Sequence, residues 1–227
     1  MSCINLTSVK RRISMAGLFL FLALTTSSCS TPPSPTVSIE VSDLLAQTNQ
    51  LGNPISKLMT VALREGTPVA SLMMDVATAD QVQIDLEVPA GNVLFELTGF
   101  SSDESSQLTP IYFGDTLSTI TPYQRNELKI VMFQAGRLDV EIEVKGTAES
   151  LPNTLVRFIP LNRVPGQSES YQAPFSMTNL SRVLPTGRYE VKAEASFDGR
   201  EFSDISKPVI VEIEAGETNA INLVIDL

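Results

Sequence analysis

The sequence predicts an all-β protein: two tandem β-sandwiches of about seven strands each, preceded by an export signal. Three observations carry that expectation. Apolar and polar residues alternate, cleanly so in Val37-Ser38-Ile39-Glu40-Val41 and in Leu138-Asp139-Val140-Glu141-Ile142-Glu143-Val144. No long segment carries the 3.6-residue period of an amphipathic helix. Residues 43–50 fit one short helical turn with Asp43 as N-cap, or equally a loop, because Gly52, Asn53 and Pro54 follow at once. Finally, the chain repeats itself. Residues 88–97 align with residues 184–193 at an offset of 96, and residues 121–131 align with 214–224 at an offset of 93. A period of that size fits a duplicated domain and is too long for a solenoid.

The N-terminus reads as a targeting segment. Lys10, Arg11 and Arg12 form a basic start, residues 13–24 an apolar run, and Thr25, Thr26, Ser27 and Ser28 a small-residue approach to Cys29. An apolar run of 12 residues is short of the roughly 20 that a membrane-spanning helix needs. The segment Thr26-Ser27-Ser28-Cys29 resembles the lipobox of bacterial lipoproteins, departing from it at Thr26, where that family carries an aliphatic residue. Ordinary signal cleavage nearby stays open as the alternative. The resemblance implies that Cys29 becomes the acylated first residue (a palmitate-bearing lipoprotein). It also implies that Ser30 directs the protein to the outer rather than the inner membrane. The expected organisation is a signal peptide over 1–28, a lipidated Cys and Pro/Ser tether over 29–36, and sandwiches over 37–133 and 137–227. The connector falls at Gln134-Ala135-Gly136, short enough to restrict the relative orientation of the halves.

In both repeats a Pro-x-Gly turn, Pro89-Ala90-Gly91 and Pro185-Thr186-Gly187, opens a strand. Proline fixes φ and glycine admits positive φ, so the pair reverses the chain. The following Phe95 and Leu97, or Tyr189 and Val191, then share one sheet face. With the late strand and final strand downstream, both halves resemble transthyretin-like, carboxypeptidase-regulatory-like Ig-like modules of secreted bacterial proteins. Leu184-Pro185-Thr186-Gly187-Arg188-Tyr189-Glu190-Val191 fits that pattern best. The first half resembles a variant from surface lipoproteins, carried by Val88-Pro89-Ala90-Gly91, Gly99-Phe100 and Ile111-Tyr112-Phe113-Gly114. The resemblance implies a fold and no catalytic activity.

Composition removes several classes of function. The 227 residues include 16 Lys+Arg, 26 Asp+Glu, no His, no Trp and two Cys. Cleavage before Cys29 removes 28 residues, three of them basic, leaving 199 residues with 13 bases against 26 acids, a charge of −13. That charge argues against nucleic acid as a partner. It also argues that an acyl group, not a polybasic patch, holds the protein at a membrane. Without His there is no Ser-His-Asp or Cys-His constellation, and no Gly-rich phosphate loop or nucleophile elbow is present. Asp139, Glu141, Glu143, Asp85, Glu87, Glu212 and Glu214 alternate with apolar residues, the pattern of a solvated sheet face.

The acidic loops 101–106 and 197–204 carry oxygen ligands suited to Ca²⁺ but lack a regular ligand spacing, so no metal and no cofactor are predicted. Tyr112, Tyr123, Tyr171 and Tyr189 are scattered rather than clustered into a sugar platform; Tyr189 reads as core and Tyr123 as an exposed turn residue. Met59, Met73 and Met74 read as adaptable core filler or a soft contact surface. The expectation is a non-catalytic, membrane-anchored interaction or scaffold module with a protein or glycan partner. A glycan- or peptide-binding accessory protein is the alternative.

Overall fold

The computed structural model describes residues 35–41, 48, 54–77, 82–102, 107–145, 154–174, 179–195 and 203–226. Cys29, most of its tether and the greater part of both acidic loops lie outside these residues. The strands are β1 (Thr36–Glu40), β2 (Lys57–Arg64), β3 (Thr67–Asp75), β4 (Gln83–Glu87), β5 (Gly91–Ser102), β6 (Leu108–Ile120) and β7 (Asn126–Leu128). They continue as β8 (Phe133–Lys145), β9 (Thr154–Pro160), β10 (Tyr171–Pro174), β11 (Asn179–Pro185), β12 (Gly187–Ala195), β13 (Ser203–Asp204), β14 (Val209–Ile213) and β15 (Thr218–Asp226). Of residues 43–50 only Thr48 is described, and it is helical and buried.

The pairing pattern is used twice. In the first half a sheet ordered β4-β1-β7 lies over β3-β2-β5-β6; in the second, β11-β8-β15 lies over β10-β9-β12-β14, with β13 beside β12. Both halves pair their first strand in parallel with their last. Val37 sits opposite Asn126 and Ile39 opposite Leu128, as Leu138 sits opposite Asn219 and Val140 opposite Ile221. The repeat is therefore one of topology as well as sequence. Gly91 and Gly187 occupy its same point, with φ of 116° and 137°, a region closed to side chains bearing a Cβ. Strand alternation sends Val93, Phe95 and Leu97 into the first core, with Val37, Ile39, Ile84 and Leu58. Tyr189, Val191 and Ala193 enter the second, with Leu138, Val140, Phe158 and Leu223.

The connector is placed differently from the sequence expectation. Gln134-Ala135-Gly136 lies inside β8, which begins at Phe133; the non-strand crossing is the segment before it, Lys129 to Met132. Ile130 and Met132 pack on the first core while the Val131 carbonyl crosses Gly114 of β6, where a Cβ would overlap that oxygen. The entry to β8 pairs with β6, Tyr112 opposite Gln134 and Phe113 opposite Phe133, so one sheet ordered β11-β8-β6-β5-β2-β3 runs through both halves. Residues 33–227 accordingly form one compact unit.

Candidate binding surfaces

The junction between the halves is built on the outward face of β5 and β6. Strand register places Glu96 beside Asp115, and Thr98 beside Phe113, on the side away from the first core. The second half covers them. Arg182 of β11 grips Glu96 with both ends of its guanidinium, Nη1 donating to Oε2 at 3.1 Å and Nη2 donating to Oε1. The same guanidinium stands 5.8 Å from the centre of the Phe113 ring. Phe113 belongs to the second core although β6 belongs to the first half; its ring meets Tyr171 edge-on at 5.9 Å. The Ser168 hydroxyl donates to Asp115 Oδ2 at 2.6 Å. Burial raises the Asp115 carboxyl above its ordinary value against the pull of that bond, and burial raises the Tyr171 and Tyr189 phenols. Gln167 secures the adjoining loop by donating to the Tyr189 hydroxyl at 2.9 Å, which in turn donates to the Pro185 carbonyl.

A second charged ladder lies on the outer face of β9 and β12. Arg157 holds Glu194 through two bonds of 2.8 Å, and Lys192 bridges Glu194 at 3.2 Å and Asp204 at 2.8 Å. The bond to Asp204 is the main cause of a raised Lys192 pKa. In this ladder Arg157, Glu194, Lys192 and Asp204 pair with one another, the mark of a structural network.

The outer face of β11-β8-β15 is open. Side chains from three neighbouring strands, among them Ser181, Asp139, Asn179, Glu141 and Asn222, line a shallow concavity of about 660 Å³. Ala220 supplies its one small floor residue opposite Asp139. Such a surface offers hydrogen-bond donors and acceptors in rows about 4.8 Å apart across the strands and no aromatic ring. Glu141, Glu143, Asp85, Glu87, Glu212 and Glu214 are solvent-exposed, as alternation implies, whereas Asp139 is half-buried. Among the described residues no group of three or more acidic, Cys or His side chains could hold a metal ion.

Two non-glycine residues among those described have positive φ, Glu65 in the β2–β3 turn at 52° and Tyr123 in the turn between β6 and β7. Tyr123 has φ of 61° and is 72% exposed. Asn126 braces the turn, accepting from the Thr121 N–H at 3.0 Å and donating to the carbonyls of Thr121 and Gln124 at 3.2 and 3.0 Å. Of the methionines, Met74 packs on the core, while Met73 is exposed beside its cross-strand partner Met59.

These features define an Ig-like β-sandwich protein of duplicated topology. No family model and no curated protein matches the chain. Among solved structures it is similar to a leucine-rich repeat protein from Bacteroides thetaiotaomicron, at 13% identity and a TM-score of 0.51, over 86% of this chain and 26% of that one. The chain thus spans about a quarter of that protein's length, and the likeness is one of fold. Further matches are the minor pilin of Streptococcus agalactiae and the tip fimbrial protein of Porphyromonas gingivalis. The pilin is 9% identical with a TM-score of 0.29, over 85% of this chain and 96% of that one. The fimbrial protein is 12% identical with a TM-score of 0.30, over 79% and 82%.

Proposed function

We propose that the protein is an exported lipoprotein, anchored through Cys29, that serves as a non-catalytic interaction module at the cell surface or in the periplasm. The observation that carries the reading is the welded junction. A buried Arg182–Glu96 pair and a shared Phe113 hold two sandwiches in one orientation, so the concavity on β11-β8-β15 is presented at a fixed place relative to the first half. A rigid display of a polar surface suits recognition, which loses less ordering entropy when the site is preformed. The concavity mixes amide, hydroxyl and carboxylate groups with the apolar Leu180 and Ile221, and the chain has no His to activate Ser181, which supports binding over turnover. The outer membrane is the expected destination from Ser30, and a protein or glycan the expected partner.

Two measurements test this. Cys29→Ala should move the protein from the membrane fraction to the soluble fraction and abolish labelling by a palmitate analogue; unchanged membrane retention refutes the anchor. A glycan and peptide array should show retention that Asn179→Ala with Asn222→Ala weakens, with every ligand recovered intact. Reproducible product formation would instead place the protein among enzymes. Retention of glycans over peptides would favour the accessory-protein reading, which the short polar side chains of the concavity support.

A further inference from the structure

Tyr123 stands where the fold calls for glycine. At the repeat offset of 93 its counterpart is Gly216, and the two residues share the left-handed backbone, with φ of 61° and 72°. Side chains bearing a Cβ are strained there, and the ring of Tyr123 contributes nothing to a core, being 72% exposed. The brace from Asn126 holds the strained turn in place. An aromatic side chain kept outward at a strained position points to a contact made outside the chain.

The position of the turn identifies what it meets. Asn126 lies beside Val37, Thr36 pairs with Glu87, and Arg125 donates to the Ser38 hydroxyl at 3.3 Å. Tyr123 therefore sits at the end of the first half where β1 begins. Cys29 is seven residues before Thr36, a reach of at most about 25 Å in a fully extended chain. At the corresponding end of the second half, Gly216 lies against Thr109 and Ile111 of the first half, so the preceding part of the chain occupies that end. What precedes the first half is the anchor.

Residues 29–133 carry four basic and 12 acidic side chains. Two of the four, Arg64 and Arg125, are exposed at this end, interspersed with the exposed carboxylates Glu65, Glu87 and Asp85, the last within the field of Arg125. On the adjoining sheet face Leu117, 71% exposed, completes a row with Leu94 and Leu63.

We infer that this end of the first half, with Tyr123 at its tip and Arg64, Arg125 and Leu117 around it, rests on the lipid surface and fixes how the protein stands on the membrane. Tyrosine suits the headgroup boundary because its ring is apolar and its hydroxyl polar. The arginines meet headgroup phosphates, with Glu65, Asp85 and Glu87 interspersed at the same end. The inference rests on Cys29 being the attachment point.

The test supplies that attachment chemically. The chain from Cys29 onward has one thiol and no tryptophan. It can be coupled through Cys29 to a maleimide-headgroup lipid in vesicles of phosphatidylethanolamine with a minority of phosphatidylglycerol. Tyr123→Trp then introduces the only indole. Its emission should shift to shorter wavelength on coupling, and lipids with brominated chains should quench it several-fold more than the indole of Val144→Trp, at the far end of β8. Equal quenching in the two variants, or a shift that follows protein concentration without vesicles, overturns the inference, the latter in favour of a second copy. A shift produced by an added glycan in place of vesicles overturns it too. The unmutated chain gives a second reading: coupling should slow tryptic cleavage after Arg125 several-fold and leave cleavage after Arg163 unchanged, whereas equal rates refute the contact. Because coupling bypasses cellular acylation, these outcomes are separate from the Cys29→Ala fractionation that tests the anchor itself.

Discussion

Glu96 occupies a position that strand alternation assigns to water. Its place between Val61 and Asp115 on the outer face of β5 becomes buried because β11 delivers Arg182 onto it. Removing one partner of such a pair strands the other charge. Arg182→Met is expected to lose about 3 kcal/mol of stability in urea unfolding, and adding Glu96→Leu to restore most of it; additive losses in the double variant would argue against a coupled pair. Asp115 beside it behaves in the opposite sense. Burial raises its folded pKa above 3.8, so the folded state binds the proton more tightly than the unfolded one. Stability from this group is present at low pH and is lost as pH rises from the ordinary carboxylate range through the folded pKa. Asp115→Asn should therefore be at least as stable as the parent near neutrality, with the advantage vanishing under acid conditions. A variant less stable at neutral pH, with an unchanged pH slope, would contradict this account.

Among the elements, the central strands β5 and β12 were legible because the turn before each carries its own chemistry. Pro89 and Pro185 precede Gly91 and Gly187, whose φ of 116° and 137° only glycine adopts freely. Gly91→Ala and Gly187→Ala should each lower stability by about 1–3 kcal/mol through the same strain, measured by denaturant midpoint; a neutral effect at either site would break the equivalence of the repeats. The final strands aligned equally well, since Asn126 and Asn219 fill one register position. The connector was misplaced by a few residues because Gln134, Ala135 and Gly136 look like a break. Small residues serve here to admit neighbouring chain against an unbroken strand, as Gly114 does for Val131. The inward position of Met74 and the outward positions of the cross-strand partners Met73 and Met59 follow from pairing register, and the hydropathy of methionine is the same at all three.

At the scale of the whole molecule the halves share more than a linker. Phe113 leaves the first half to enter the second core, and β8 begins on β6. A fragment of residues 137–227 would lack Phe113, Glu96 and the entry to β8. Calorimetry of the chain from Cys29 onward should give one cooperative transition, and a fragment starting at Phe133 should melt well below it. Two resolved transitions, the second matching the fragment, would show the halves to be independent. If the anchor and the Tyr123 contact both hold, this single body stands on the membrane by one end and offers β11-β8-β15 at a set distance from it.

Local patterns determined the all-β class, the duplicated turn chemistry, the solvated carboxylate faces and the lack of His-based catalysis. Each of these depends on residues close in sequence or on composition alone. The tertiary structure decided which alternating residue escapes its rule. Glu96, Asp115 and Phe113 are ordinary outward positions of β5 and β6 until a second half packs over them, and Tyr123 is an ordinary turn residue until its backbone is set beside Gly216. Burial and backbone strain are properties of what is brought near from elsewhere in the chain, and no local pattern encodes them.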